Sequence, residues 1–456
     1  MLNGIWLSLL LLAALLGALT GQLPEVTKAG FDACVRAVMD LALPLAGVMA
    51  LWLGIMRLAE KSGVVGFLAK TLRPVLTRIF PDVPPDHPAM GSMVMNMAAN
   101  MLGLANAATP LGLRAMQDLE KLNPRPGVAT NAMCTFLAIN TSSVQLIPAT
   151  AVAILAAKGS IQPSAIIGTA IFATTCSTIV GLTSVKLLER WPRFRLPEET
   201  LPSPATTGIG EEQEKSPPPL NGAWKLALMV ALAAFALLFV MMSFFPGGFA
   251  ALADASRHAL APGTTPFAFP EGWLLKHPFA RAVETLSLLA IPFFLAIFPL
   301  YAAARRVPVY EEFVEGAKEG FQVAVRIIPF LVAILAAVGM FRAAGGIDLL
   351  ARILAPALDP LRFPSDLLPL VFMRPLSGSG SLGLFAELVA THGPDSLIAR
   401  MAGTIMGSTE TTFYVIAVYF GSVAVRRTRH AVPAGLLADL AGVAASVAIC
   451  NFVFGR

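Results

Sequence analysis

Glu410 is the residue of this chain with the most pointed chemistry. It lies in MGSTETTFYV (406–415), a run of hydroxyl side chains set among apolar residues. A carboxylate inside an apolar span is costly and is by default a functional candidate. It can bind a cation, carry a coupling proton, accept from a substrate hydroxyl, or pair with Arg374 or Arg342. Asp439, inside the last apolar run, is the second candidate for coupling. Arg374 opens RPLSGSGSLGLF (374–385), where Ser377, Ser379 and Ser381 alternate with glycine. Each glycine costs a helix about 1 kcal/mol relative to alanine. The run therefore reads as a hairpin tip or helix break, with amides and hydroxyls able to grip an anion or polar ligand. The competing reading is a close helix crossing through small residues.

The first half carries a second polar set. Asn96 and Asn100 are four apart and share a face if helical. They can hydrogen-bond a sugar or a base, or act as glue between helices. INTSSVQLIP (139–148) supplies Asn140, Ser142, Ser143 and Gln145, with Thr409 their counterpart near Glu410. Met90, Met93, Met95, Met97 and Met101 form a thioether cluster that suits a soft metal or adaptable core packing; packing is the reading adopted, with no metal site. GxSxG, HExxH and Walker A patterns are absent, and His392, Asp395 and Glu387 have no nucleophile motif beside them. The chain reads as a non-enzyme without a cofactor. Cys34, Cys134, Cys176 and Cys450 form no CxxC and read as small core residues.

These groups must be positioned by membrane helices. Of 456 residues, 56% are hydrophobic and only 13% charged, against about 25% charged in soluble chains. Several apolar runs reach about 20 residues, enough to cross a bilayer. The fold class is therefore an all-α polytopic membrane protein. The net charge of +5 fits loops that collect Lys and Arg and does not argue for nucleic acid. Residues 1–20 read as a short membrane helix. Spans follow at 38–56, 130–156, 164–187, 223–245 and 282–303. Val64 to Phe80 is a shorter segment interrupted by Pro74. Residues 89–117 are too polar to face lipid and suit a re-entrant hairpin. The stretch 246–282 reads as a loop with an interfacial helix, and YEEFVEGAKEG (310–320) as a surface helix separate from the apolar run that starts at Phe321.

Punctuating residues recur in the same order in both halves. Pro44 pairs with Pro329, Arg57 with Arg342, Pro74 with Pro356, and Phe80-Pro81 with Phe363-Pro364. Asn96 pairs with Ser379, and Ser142-Ser143 with Thr409-Glu410. The expected domains are a first module over 1–189, a flexible Pro- and Glu-rich linker over 190–222, connecting membrane helices over 223–309, and a second module over 310–456. The relative orientation of the repeats stays open. Arg190, Arg193 and Arg195, Arg305-Arg306 and RRTRH (426–430) are expected on the cytoplasmic side of a bacterial inner membrane.

The stretches DHPAMGSMVMNMAANMLGLANAATPLGLRAM (86–116), LEKLNP (119–124) and TNAMCTFLAINTSSVQLIP (130–148) resemble the spore maturation A family. GAKEGFQVAVRIIPFLVAILAAVGMFRAAGGID (316–348), GSTETTFYV (407–415) and RRTRHA (426–431) resemble the spore maturation B family. The chain resembles a fusion of the two. Both families carry a nucleoside recognition, or Gate, domain. The resemblance implies pseudo-symmetric gate modules with two re-entrant hairpins, 90–117 and 374–391, and two broken helices, unwound at 140–145 and 408–412. It further implies a transport protein for a small polar solute, nucleoside-like or anionic, held between the halves. Asn96, Asn100, Asn140, Ser142, Ser143 and Gln145 would contact the solute on one side. Arg374, Ser377, Ser379, Ser381, Thr409 and Glu410 would do so on the other. The alternative is a non-transporting factor for envelope or spore-core maturation. The expected partners are the bilayer and the solute, with homo-oligomerisation possible and no nucleic acid.

Overall fold

The computed structural model describes residues 2–103, 105–194, 221–260, 277–346, 349, 352 and 363–455. Most of the linker (195–220, with Arg195), residues 261–276 and Pro356 lie outside the described residues. The described chain is an all-helical, multi-pass membrane protein. Six of its helical runs are long and apolar enough to cross a bilayer: Leu23–Lys61, Pro163–Leu188, Gly222–Phe244, Pro278–Ala304, Val309–Ala343 and Ala431–Phe454.

The first half runs α1 (Leu2–Thr20), α2 (Leu23–Arg36), a π-turn, α3 (Leu43–Lys61), α4 (Val64–Ile79), α5 (Pro88–Met101), α6 (Ala105–Glu120), α7 (Asn131–Thr141), α8 (Ala149–Ala157) and α9 (Ile166–Leu188). Connecting helices are α10 (Gly222–Phe244), α11 (Pro246–Leu260) and α12 (Pro278–Ala304). The second half runs α13 (Val309–Ala343), α14 (Leu368–Met373), α15 (Gly378–His392), α16 (Leu397–Ser408), α17 (Thr412–Gly421) and α18 (Ala431–Phe454).

Three expectations need correction. Pro74 does not interrupt α4, which continues through it. The polar stretch 310–320 is not a separate surface helix but the first third of the 35-residue α13. Its Glu, Lys and Ala are good helix formers, and its acids have a partner in α3. Arg57 donates to Glu312 at 2.7 Å and to Glu319 at 2.5 Å. Gly54, Gly316 and Gly320 let the two backbones close together, since a Cβ at Gly316 would stand 2.5 Å from the Leu53 carbonyl oxygen. The SGSGS run, finally, is neither a hairpin tip nor a helix break. Ser377 caps α15 by accepting from the Gly380 N–H at 3.0 Å, and 378–381 form that helix's first turn. The turn itself is Arg374–Leu376.

Side-chain contacts sort the helix ends onto two faces. Arg429 donates to the Ala129 carbonyl at 3.0 Å, to Asn131 at 2.8 Å and to the Phe194 carbonyl. The loops before α7, after α9 and before α18 thus share one face, which is rich in Lys and Arg. On the far face Asp395 accepts from Ser160 at 2.7 Å and from the Ile161 N–H at 3.0 Å. Arg400 covers the Phe454 ring there at 4.5 Å. The broken helix α7–α8 therefore runs from the basic face to the far face, and α16–α17 runs the opposite way. Hairpin α5–α6 opens onto the basic face. Hairpin α14–α15 opens onto the far face, where His392 lies 3.8 Å from Asp366. The repeats are inverted.

Candidate functional site

At the centre, α9 and α18 cross through small residues, which allow close backbone approach in a membrane. A Cβ on Gly181 would touch Ala438, and one on Gly442 would sit 2.8 Å from Thr409 Cγ2 and 2.9 Å from the Ser408 carbonyl oxygen. This small-residue face admits the ends of α7 and α16.

Both helices stop there. α7 and α8 have 11 and 9 residues, roughly 16 and 14 Å at 1.5 Å per residue, so the break lies near mid-depth. Pro148 has no N–H to continue the helix and disfavours helical backbone in the residue before it, while Ser143 takes a left-handed φ of 50°. In the second half Thr409 is extended. A helix end leaves carbonyls unpaired, and the free Thr141 carbonyl accepts from the Glu410 N–H at 3.1 Å. Each break also bonds to its own hairpin. The Leu146 N–H donates to Met101 O at 2.9 Å, and the Phe413 N–H donates to Pro375 O at 2.9 Å.

Arg374 lies at this junction with its side chain 7% exposed. It donates to the Met406 carbonyl at 3.0 Å, to the Thr409 carbonyl, and to Thr409 Oγ1 at 3.2 Å. A cation closing the negative end of α16 is the favourable arrangement. Arg374 also pairs with Glu410 at 3.2 Å, leaving that carboxylate 34% exposed. Arg342, the other candidate partner, pairs instead with Glu387 at 2.9 Å.

The amides form a chain towards the same point. Asn100 donates to Asn140 Oδ1 at 2.9 Å, and Asn140 to the Phe136 carbonyl at 2.9 Å. Asn96 is fully buried; it donates to the Ala108 carbonyl at 2.8 Å and reaches the Tyr419 hydroxyl at 3.4 Å. Ser142 shares a hydrogen bond with Thr178 at 3.0 Å. Ser143 Oγ is buried without a partner among the described residues, and the Ser143 carbonyl accepts from Thr174 at 2.5 Å. Gln145 and Ser379 are partly exposed. Ser381 is buried and donates to the Ser377 carbonyl at 2.7 Å. Asp439 accepts from Thr412 at 2.6 Å.

The fold thus brings Asn100, Asn140, Arg374, Thr409 and Glu410 around one junction, with Gly378 against Thr411. Ser381 makes its bond within its own hairpin, whereas Asn96 bonds both within its hairpin and across to Tyr419 of α17. Hydroxyls, amides and an ion pair can donate to and accept from a polar solute; His392, Asp395 and Glu387 fall in separate contacts. Sequence reading missed Tyr419, Thr174 and Thr178, and placed Thr412 in the polar run without a role of its own. The spacing of Thr174, Ser177 and Thr178 along one helix face was the available signal. Tyr419 had none. A separate cavity of about 480 Å³, lined by Ser184, Leu187, Leu188, Arg190, Trp191, Pro192 and Leu437, lies at the basic-face end of α9 and holds none of these residues.

The Gate family, described as nucleoside recognition, matches residues 42–158 and 324–426, which contain both hairpins and both breaks. Spore maturation protein B of Bacillus subtilis (strain 168) is 45% identical over 173 residues, 38% of this chain and 97% of that protein. Spore maturation protein A of the same organism is 42% identical over 195 residues, 43% of this chain and 97% of that protein. The two cover different halves. The chain belongs to the spore maturation A and B family. It joins an A-like and a B-like sequence in one polypeptide. Among solved structures, the Alcanivorax borkumensis YdaH transporter aligns over 98% of this chain and 96% of its own, at 16% identity and a TM-score of 0.41. CNTnw in an outward-facing state aligns over 99% of this chain and 91% of its own, at 13% identity and a TM-score of 0.36.

Proposed function

We propose that this A–B fusion is a transport protein of the cytoplasmic membrane that moves a small polar solute, nucleoside-like or anionic, through the junction of its two breaks. The modules are residues 1–189 and 310–456, and the helices of 223–309 connect them. The observation that carries the reading is the backbone bond from Glu410 to Thr141, with Arg374 closing the end of α16 beside it. Polar backbone at membrane depth persists only where protein or water satisfies it, and inverted repeats with broken helices commonly hold a solute at their interface. Asn100, Asn140, Gln145, Ser379 and Glu410 are the solute contacts; Arg374 and Thr409 hold them in place. The basic face is cytoplasmic, by the bias of Lys and Arg.

The test is a thermal-shift screen of the purified protein against nucleosides and small anions. A ligand that stabilises the wild type should fail to stabilise Glu410→Gln and Asn100→Ala variants that remain folded in the membrane. The internal bonding of Asn96 and Asn140 favours the alternative, a non-transporting envelope factor whose polar runs lock the halves together. On that reading no solute stabilises any of the proteins.

A further inference from the structure

We infer that Asp439 is the proton-carrying group of this junction, and that its proton controls how α17 is held to α18. The inference rests on the transport reading above and deepens it by naming the coupling ion.

The two carboxylates have different surroundings. Glu410 is one-third exposed, lies 3.2 Å from Arg374 Nη2 and accepts from the Thr411 N–H at 3.2 Å. Asp439 is 5% exposed. One oxygen accepts from Thr412 Oγ1 at 2.6 Å, and the other is buried with no hydrogen-bond partner among the described residues. Among the described residues, the positions beside it on α18 meet uncharged groups: Thr141 of α7 and Thr412 of α17 stand against Gly435, Thr409 and the Ser408 carbonyl against Gly442, and Ser177 of α9 donates to the Ala438 carbonyl. The charges that reach it are Arg374 and Glu410, opposite in sign and not in contact with it. An ionised carboxylate with one bare oxygen at this depth is not sustained; it takes a proton or draws water. Two carboxyl groups in surroundings this different, one partly open and paired and the other buried with a bare oxygen, suit separate roles. Glu410 faces the solute, and Asp439 binds and releases the proton.

A metal ion fits the place less well. Hard cations want about six oxygens, and one carboxylate with one hydroxyl falls short. The proton has a structural consequence, because Thr412 is the first residue of α17 and follows Glu410 by two positions. With Asp439 neutral, the contact to Thr412 closes α17 onto α18 without water. With the proton passed to water in the junction, the carboxylate needs solvation, and the start of α17 must part from α18 to admit it. That movement displaces Glu410 directly.

The test is infrared difference spectroscopy of the full chain in lipid nanodiscs during a pH titration, following the C=O stretch of a protonated carboxyl group. The wild type should show a titrating band that Asp439→Asn removes and Glu410→Gln keeps. Thr412→Val, which retains the carboxyl group and the side-chain shape, should raise the titration midpoint by about one pH unit, the size of one lost hydrogen bond to the charged form. This second variant keeps the test decisive if Asp439→Asn does not fold. The assignment is overturned if the Asp439→Asn band equals wild type, if the band vanishes in Glu410→Gln, if Thr412→Val leaves the midpoint unmoved, or if sodium chloride abolishes the band where choline chloride does not. The band is read without any solute. A failed solute screen therefore strikes the transport reading alone, and a failed band strikes the proton alone.

Discussion

At the residue scale, the junction depends on Arg374 more than on the carboxylate it pairs with. Arg374 satisfies two carbonyls at the end of α16, a hydroxyl and Glu410, whereas Glu410 keeps a third of its surface open. Removing one partner of a buried charge network typically costs about 3–5 kcal/mol. Arg374→Met should therefore lower the thermal unfolding midpoint well below wild type or prevent accumulation, while Glu410→Gln loses roughly 1 kcal/mol or less, in line with exposed pairs. A double-mutant cycle read by thermal unfolding should give a coupling of about 0.5–3 kcal/mol between them. Asn96→Ala should cost about 1–3 kcal/mol, because it strips partners from the Ala108 carbonyl and the Tyr419 hydroxyl in a dry site. That amide was legible in the sequence as a polar residue in an apolar stretch. Its role was not, since the partner Tyr419 stands hundreds of residues away.

At the element scale, the loops outside the membrane carry the acid sensitivity. Burial pushes the Asp395 carboxyl up, but the N–H of Ile161, the Ser160 hydroxyl and Arg400 outweigh it and leave it below the usual aspartate value. Its contribution is complete above the unfolded value of 3.8 and is lost as pH falls through the lower folded value. His430 is buried with neither ring nitrogen partnered among the described residues. Burial first, and then Arg429 and Lys186, lower it from 6.5 to about 4. The neutral imidazole is the folded form, so its contribution is full above 6.5 and drains between 6.5 and about 4, as the unfolded chain takes up the proton. The midpoint of thermal unfolding should fall on acidification through this window, and His430→Gln should flatten the fall there while leaving the steeper loss below it. The helix crossing gives a second prediction at this scale. Gly442→Val should force α18 away from the end of α16, costing about 1–3 kcal/mol as overpacking and removing any solute-induced stabilisation.

At the scale of the whole molecule, inversion makes a topological prediction. Lys158, at the end of α8, belongs to the far face, and Arg193, after α9, to the basic one. In a background with the native cysteines replaced, Lys158→Cys should react with a membrane-impermeant maleimide in intact spheroplasts. Arg193→Cys should react only after lysis. Equal labelling of both would overturn the assignment of faces. Helix existence, the Met-rich hairpin, both hydroxyl-rich breaks and the duplicated order of prolines and arginines were all readable from composition and periodicity, because each is a local preference of the chain. Pairing Asn96 with Ser379 misled at one point. The second hairpin turns early, at Arg374-Pro375, and so places Ser379 on the returning arm where Asn96 is on the entering one. Linear order alone could not reveal this, since the turn is set by the bond from Phe413 to the Pro375 carbonyl.

By itself, then, the sequence determined that this is a membrane protein built from two related helical halves, and which polar segments cannot face lipid. Those follow from transfer energies and backbone chemistry, which act residue by residue. Only the tertiary structure decided that the halves are inverted and that Arg374 closes the end of α16. It alone decided, too, that Asp439 lies dry while Glu410 lies partly open. These depend on contacts between segments far apart in the chain, whose free energy exists only once helices from both halves share one interior.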